Sequence, residues 1–334
     1  MRARRLLTLA ILVVLACPVR AQSPGFVEWL DALLAEARDR GYSDELLQQT
    51  LVGVTPLERV VNADRRQTES VLTFEEYVRR RVTPDVVRRG RELAEEHRDV
   101  LARIEETYGV PPSIVLSIWA NESRFGRVAG DIPVFQALAT LAWEPRRAPY
   151  FRSELFHALR IVADGHIDAS SMRGSWAGAM GQPQFMPSSY LAYAVDFDGD
   201  SRRDIWTSYA DTFASIANYL KEHGWQAGES WGREVSMSRA VARRTARAVK
   251  PRGDGCRAMR AMSSPAGMTT WRRLGVRSVD GDTLTMTAPD AALVRAGQRG
   301  FLVHANYDVV LRYNCHHHYA LTVALLADRI AERP

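Results

Sequence analysis

Helix punctuation limits this chain's fold more than any other feature. Thr83-Pro84-Asp85 sets a capping hydroxyl before a proline in a first helical turn. Val86, Leu93, Val100, Ile104 and Tyr108 then fall near one stripe, which predicts a single helix from about 84 to 108. Gly109 stops it, and Pro111-Pro112 opens another helix over 113–123. Phe26, Leu30, Leu33 and Leu34 repeat the same spacing near the start. Each apolar stripe needs another element to cover it, so residues 22 to about 235 read as a helical body. From about Val235 the texture changes. Arg239 to Lys250 is a basic, Ala-rich run that reads as a solvated helix or loop. Gly275 to Met286 alternates around Asp280-Gly281, a hairpin-like turn signal. Phe301-Leu302-Val303 and Val309-Val310-Leu311 read as short strands, and Tyr319 to about Arg329 returns to helix. The expected fold is mainly α with a small β-containing lobe at 236–311 (α+β), and a segment 312–334 that returns to the body. No Ser/Gly/Pro linker cuts the chain into independent domains.

The first 21 residues carry the parts of an export signal. Arg2, Arg4 and Arg5 precede the apolar run Leu6–Ala16, and Val19-Arg20-Ala21 offers a cleavage site. The apolar run is too short for a stable membrane span. Val14-Leu15-Ala16-Cys17 also resembles a lipobox, so membrane attachment is expected only if Cys17 is lipidated. An exported, periplasmic location follows. Cleavage after Ala21 leaves Cys256 and Cys315, which in an oxidising compartment form either a disulfide or two free thiols. The net charge is +5, carried almost wholly by Arg, with Lys221 and Lys250 the two lysines. A basic exported chain suits an anionic polymer such as cell wall. Export and the absence of any nucleic-acid motif argue against a nucleic-acid partner.

One carboxyl draws attention. In Ile114–Glu122, Val115, Ile118, Trp119 and Glu122 share one helical face. A carboxyl at the end of an apolar stripe faces the interior or a cleft, where desolvation raises its pKa. General-acid cleavage of a glycosidic bond needs such a group. A Glu at a fraying helix end, bonded to Arg124, is the plainer alternative.

The segment Tyr108-Gly109-Val110-Pro111-Pro112 through Asn121-Glu122-Ser123-Arg124-Phe125-Gly126-Arg127 resembles the catalytic segment of the lytic murein transglycosylase B family. Ala137–Leu141, Arg146–Phe151, Gly174–Tyr190, Ala217–Trp225, Arg312-Tyr313-Asn314 and Tyr319-Ala320 continue the likeness in order. The resemblance implies a lysozyme-like helical core that cleaves peptidoglycan glycan strands. It implies that Glu122 is the single acid/base. Glu122 would protonate the oxygen bridging N-acetylmuramic acid and N-acetylglucosamine, then accept the proton of the muramoyl C6 hydroxyl. That hydroxyl attacks C1 and closes a 1,6-anhydro ring, with the substrate's N-acetyl group stabilising the charge at C1. This is a known exception to the two-carboxylate rule. Asp131, Glu144 and Glu154 accordingly read as surface or structural acids.

By the same resemblance, Ser175, Gln184, Tyr219, Tyr313, Asn314 and Tyr319 line the saccharide groove. Arg146 and Arg147 match a pair suited to lactyl or peptide carboxylates. Met180, Phe185 and Met186 read as packing around the groove. Asp196, Asp198, Asp200, the Arg202 carbonyl and Asp204 have the spacing of an oxygen-liganded cation loop. Ser201 stands where an EF-hand has Gly, and Thr207 where it has Glu. The family has a calcium loop closed by a later acid, which Asp211 matches, so the expected cofactor is a structural Ca²⁺ within 196–211, and catalysis is expected to need none. His316-His317-His318 reads as a loop beside the groove rather than a metal site. The expected partners are glycan strands, with other cell-wall enzymes as further candidates. A muramidase on the same fold, a non-catalytic wall-binding protein and a structural calcium-binding protein are the competing readings.

Overall fold

Ile114-Val115-Leu116-Ser117-Ile118-Trp119 is buried around the full helical turn, and a helix of that kind is stable only when enclosed. In the computed structural model, which describes residues 25–66, 72–284 and 289–332, this stretch lies in the helix Pro112–Ser123. The export signal 1–21 and Cys17 lie outside the described residues. The helices Pro84–Glu96, Tyr209–Glu222 and His317–Ala331 pack around Pro112–Ser123. Ser117 donates its hydroxyl to the Val323 carbonyl at 2.7 Å, so the polar group enters the core with a partner. Val134–Trp143 and Ala148–Ala163 form a second helical pair, with Phe26–Asp39 and Asp44–Thr50 against it.

The expected helix 84–108 is two helices, Pro84–Glu96 and Arg98–Tyr108. His97 breaks it, with φ −110° and ψ 23°. Its ring packs on Tyr209 at 4.8 Å and Phe213 at 5.4 Å. The break turns the second half along Tyr209–Glu222 while the first stays on Pro112–Ser123. The apolar spacing runs through it, so periodicity could not reveal it. Gly109 ends the second helix in the left-handed region at φ +71°.

The β lobe is a four-stranded antiparallel sheet in the order Arg277–Ser278, Gly232–Ser236, Arg299–Val303, Ala292–Ala296. Its register pairs Val235 with Gly300 and Ala292 with Val303. Side chains alternate between two cores. Phe301, Val303, Ala292 and Val294 join the main core. Leu302, Leu293 and Val235 join Trp271, Leu274 and Met268 in a core of the lobe's own. The helices Arg239–Ala248 and Met268–Leu274 cover that second face.

Two strand expectations change. Val309-Val310-Leu311 belongs to the helix Ala305–Tyr313, which is buried at Asn306, Tyr307, Val309, Val310 and Leu311. A short apolar run buried on most sides has no period to distinguish strand from helix. In Gly275–Met286 the turn forms, with the Ser278 N–H bonded to the Asp282 carbonyl at 3.1 Å. Its first arm pairs with Val235–Ser236 rather than with its own continuation, and residues 285–288 are not described.

Candidate active site

The centre is one hydrogen bond. Glu122 lies in the last turn of Pro112–Ser123, and its Oε1 accepts from the Tyr319 hydroxyl at 2.6 Å. Tyr319 comes from the first turns of His317–Ala331, the helix packed on the acid helix. Glu122 is half-buried: part of its side chain reaches the surface while surrounding atoms enclose the carboxyl. Burial pushes that carboxyl up to about 7, against the Tyr319 hydrogen bond and the Arg81 charge, which pull it down.

Tyr77 and Arg81 were not foreseen as neighbours of this group. Both lie on the helix Phe74–Arg81, four residues apart and so on one face. The Arg81 guanidinium sits 3.8 Å from the Tyr77 ring centre. Burial raises the Tyr77 pKa, Arg81 opposes the rise and the Glu122 charge adds to it. The available signal was the capping box Thr73–Glu76, which marks this helix in sequence.

From Glu122 an aromatic row leads away. Tyr319 stacks on Tyr313 at 6.5 Å, and Tyr313 meets Tyr219 at 4.7 Å. Tyr219 stacks on His223 at 4.1 Å. Tyr219 and Tyr319 are buried, while Tyr313 is half-buried and Asn314 exposed. The Tyr313 hydroxyl donates to the Pro183 carbonyl, and the Tyr219 hydroxyl to the Arg312 carbonyl, both at 2.7 Å. Phe185 packs on both rings, and with Met180 it is buried.

Residues 174–186 fold into tight turns beside this row, and Pro187 opens the helix Pro187–Tyr193. Ser175 Oγ accepts from the Ala177 and Ala179 N–H groups at 3.3 and 3.1 Å, so it shapes its own turn. Gln184 has φ +53° and donates Nε2 to the Ala129 carbonyl at 2.8 Å. Gln182, unremarked in the sequence, is the clamp. It accepts from Trp119 Nε1 at 2.8 Å and donates to the Trp206 carbonyl at 2.9 Å. It thus ties the acid helix to the acidic loop.

Arg146 and Arg147 both turn to Asp64, a buried acid on Glu58–Arg65. Arg146 Nε reaches Asp64 Oδ2 at 2.6 Å. The two guanidiniums hold the Asp64 carboxyl low against its burial, the largest single influence on it. Among the described residues no hydrogen bond or ion pair joins this trio to Glu122. Glu144 pairs with Arg65, and Glu154 accepts from Ser188 N and Oγ at 2.8 and 2.7 Å.

The acidic loop brings together three of its carboxylates. Oxygens of Asp196, Asp198 and Asp211 lie within 4.8 Å of one another. Asp211 is fully buried, and burial pushes its carboxyl up. It accepts from the Phe197 and Asp204 N–H groups at 2.7 and 2.8 Å. Ser201 adopts φ +73°, the left-handed turn for which an EF-hand uses Gly. Hard carboxylate oxygens converging beside an acid in the interior fit a cation such as Ca²⁺. Asp200 and Asp204 lie outside that trio, and their carboxylates, like those of Asp196 and Asp198, accept backbone N–H groups of the loop. Asp200 Oδ1 accepts from Arg202 N at 2.8 Å, and Asp204 Oδ1 from Trp206 N at 2.8 Å.

The histidine run is not a loop throughout: His316 caps the helix that His317 and His318 open, because the apolar stripe of His317–Ala331 carries the helix back to them, and their rings pack. His317 Nδ1 bonds the Tyr307 hydroxyl at 2.9 Å, and burial pushes its pKa down to about 4. The His318 ring lies against Phe74 and Tyr77. Cys256 and Cys315 are joined by a disulfide with Cα atoms 6.2 Å apart. It fastens the lobe to the turn between Tyr313 and Tyr319.

The sequence profile of the "Transglycosylase SLT domain" family matches residues 25–328. The chain is 33% identical over 325 residues to membrane-bound lytic murein transglycosylase B of Escherichia coli, covering 93% of this chain and 84% of that one. The crystal structure of SltB3 from Pseudomonas aeruginosa, in complex with NAG-anhNAM-pentapeptide, is similar at TM-score 0.82 and 37% identity, over 91% of this chain and 78% of that one. The Escherichia coli lytic transglycosylase Slt35 in complex with calcium is similar at TM-score 0.74 and 30% identity, over 93% and 94% of the two chains. The mainly α, lysozyme-like architecture around Glu122 therefore has its place: this chain belongs to the transglycosylase SLT family, and is an enzyme of the lytic transglycosylase class.

Proposed function

We propose that this protein is an exported, periplasmic enzyme that cleaves the MurNAc–GlcNAc β-1,4 bond of peptidoglycan and leaves 1,6-anhydromuramoyl ends. The observation that carries the reading is the state of Glu122. A carboxyl raised to about 7 holds a proton near neutral pH and can give it to a leaving oxygen. Tyr319 donates to Oε1. Oε2 is therefore the oxygen free to carry the transferable proton.

The cycle needs one group in two states. Glu122 protonates the bridging oxygen as the bond to C1 breaks. The carboxylate so formed accepts the hydrogen bond from Tyr319 and feels the positive Arg81. It then takes the proton of the muramoyl C6 hydroxyl, whose oxygen closes on C1, and Glu122 ends protonated. Charge at C1 is met by the substrate's N-acetyl group. Supporting this, the charge that acts on Glu122 is the cation of Arg81, and Glu144 and Glu154 are engaged elsewhere. Tyr313, the half-buried ring of the row, offers aromatic surface and Asn314 an exposed amide for sugar rings and acetamido groups, with Tyr319 and Tyr219 buried behind it. Ser175 and Gln184 shape the floor, and the outer faces of Arg146 and Arg147 remain for peptide carboxylates.

Asp196, Asp198 and Asp211 would hold a Ca²⁺, which supplies charge neutralisation to the loop and takes no part in bond cleavage. Murein is the partner, with other cell-wall enzymes as candidates, and a lipid on Cys17 would bring the membrane into play.

Mass analysis of soluble products from purified peptidoglycan tests the reading. The wild-type protein should release muropeptides one water lighter than their reducing counterparts, and Glu122→Gln should release none. Reducing-end products would make the enzyme a muramidase, and unchanged release by Glu122→Gln would remove the acid.

A further inference from the structure

The charge of this chain is divided between its parts. Residues 232–303 hold fourteen Lys or Arg against five Asp or Glu. Residues 22–231 and 304–334 together hold 26 against 34, the opposite sign. The positive excess gathers on the outer side of the lobe. The helices Arg239–Ala248 and Met268–Leu274 pack together over the sheet face that has its own core, the face turned from the helical body.

Two shallow clefts open there. One of about 460 Å³ is lined by Arg243, Arg244 and Arg247, and one of about 470 Å³ by Arg272, Arg273 and Arg277. No acidic side chain lines either. All six arginines are exposed. Among the described residues none of the six is in an ion pair, whereas Arg252 and Arg299 on the same lobe each have an acidic partner. Like charges gathered without counter-charges repel one another, and an anionic ligand relieves that repulsion.

We propose that this outer face is a second, non-catalytic docking surface for peptidoglycan, which holds stem-peptide carboxylates of the glycan mesh away from the groove. This rests on the function proposed above. Guanidinium forks take carboxylates bidentately, and each cleft presents three of them. A body of net negative charge is repelled by an anionic mesh, so the lobe is the part drawn to it. A bilayer fits the face less well. Interfacial helices present Trp, Phe or Leu, whereas Val279 is the only large apolar side chain exposed on the described part of the lobe.

The test is co-sedimentation of the full chain with purified sacculi, in a Glu122→Gln background so that the polymer stays intact. Arg243→Glu/Arg247→Glu/Arg272→Glu should weaken binding about tenfold or more at low salt. Raised salt should abolish the difference, because exposed charges are screened over about 8 Å at physiological ionic strength. The same three positions changed to Lys keep the charge and should keep most of the binding. With Glu122 intact, the Glu triple variant should turn over a soluble tetrasaccharide-peptide, which contains a MurNAc–GlcNAc bond, at the wild-type rate while its KM for sacculi rises. Equal binding by wild type and the Glu variant overturns the proposal. So does patch-dependent binding to anionic phospholipid vesicles but not to sacculi. Patch-dependent binding to sacculi by a wild-type protein that releases no products would leave the docking surface standing and overturn the catalytic reading.

Discussion

Tyr319→Phe removes the single hydroxyl that donates to Glu122 in the candidate active site, and its effect follows from that bond. The hydroxyl donates to Glu122 Oε1 at 2.6 Å and favours the ionised carboxyl. A hydrogen bond to a charged group contributes about 1.5–3 kcal/mol. The protonated carboxyl would accept the same bond more weakly, so roughly half of that separates the two states. At about 1.36 kcal/mol per unit, the Glu122 pKa should rise by about one unit in the variant. The ring itself should stay, since it is buried and stacked on Tyr313. A general acid works while protonated, so activity is present below its pKa and is lost as pH rises through it. The alkaline limb of kcat/KM, expected near 7 in the wild type, should therefore move about one unit upward. Initial rates on a soluble glycan fragment between about pH 5 and pH 9, at fixed ionic strength, measure it. A limb that stays in place or moves downward would refute either the titrating acid or the sense of the bond.

Calcium added to chelator-treated protein should raise its Tm, by about 2.7 kcal/mol of stability at a hundredfold excess over Kd. Asp211→Ala should remove that response, and an unchanged Tm on addition would dismiss the ion. The bridge Cys256–Cys315 closes a sequence separation of 59 residues. Under the chain-entropy estimate its loss costs about 4 kcal/mol. The double Ser variant should melt several degrees lower, and equal melting would show that the bridge does not constrain the unfolded chain.

Local signals recovered the frame of the molecule and little of its wiring. Thr83, Pro84, Gly109 and Pro112 mark helix ends because capping and φ are properties of a residue and its neighbours. The apolar stripe of Pro112–Ser123 announced that Glu122 would be enclosed. Its partners could not be read that way. Tyr319 is 197 positions distant from it. Tyr77 and Arg81 reach it through helix packing. Asp64 was invisible as the acid between Arg146 and Arg147, since its burial follows from tertiary placement. Gln182 looked like one polar residue among several in 174–190, and only the fold shows both ends of its amide bonded. The break at His97 leaves the hydrophobic period intact, so the spacing of apolar residues does not show it.

The distance in sequence between Glu122 and Tyr319 also bears on when such an enzyme becomes dangerous. The acid helix is completed against His317–Ala331, so a nascent chain can contain Glu122 long before it contains what surrounds it. Contacts of this range form late, after the loop between them has closed. Without those surroundings the carboxyl lacks the burial that raises its pKa. On the mechanism proposed above, cutting requires the complete fold, because Glu122 without its surroundings keeps no proton near neutral pH.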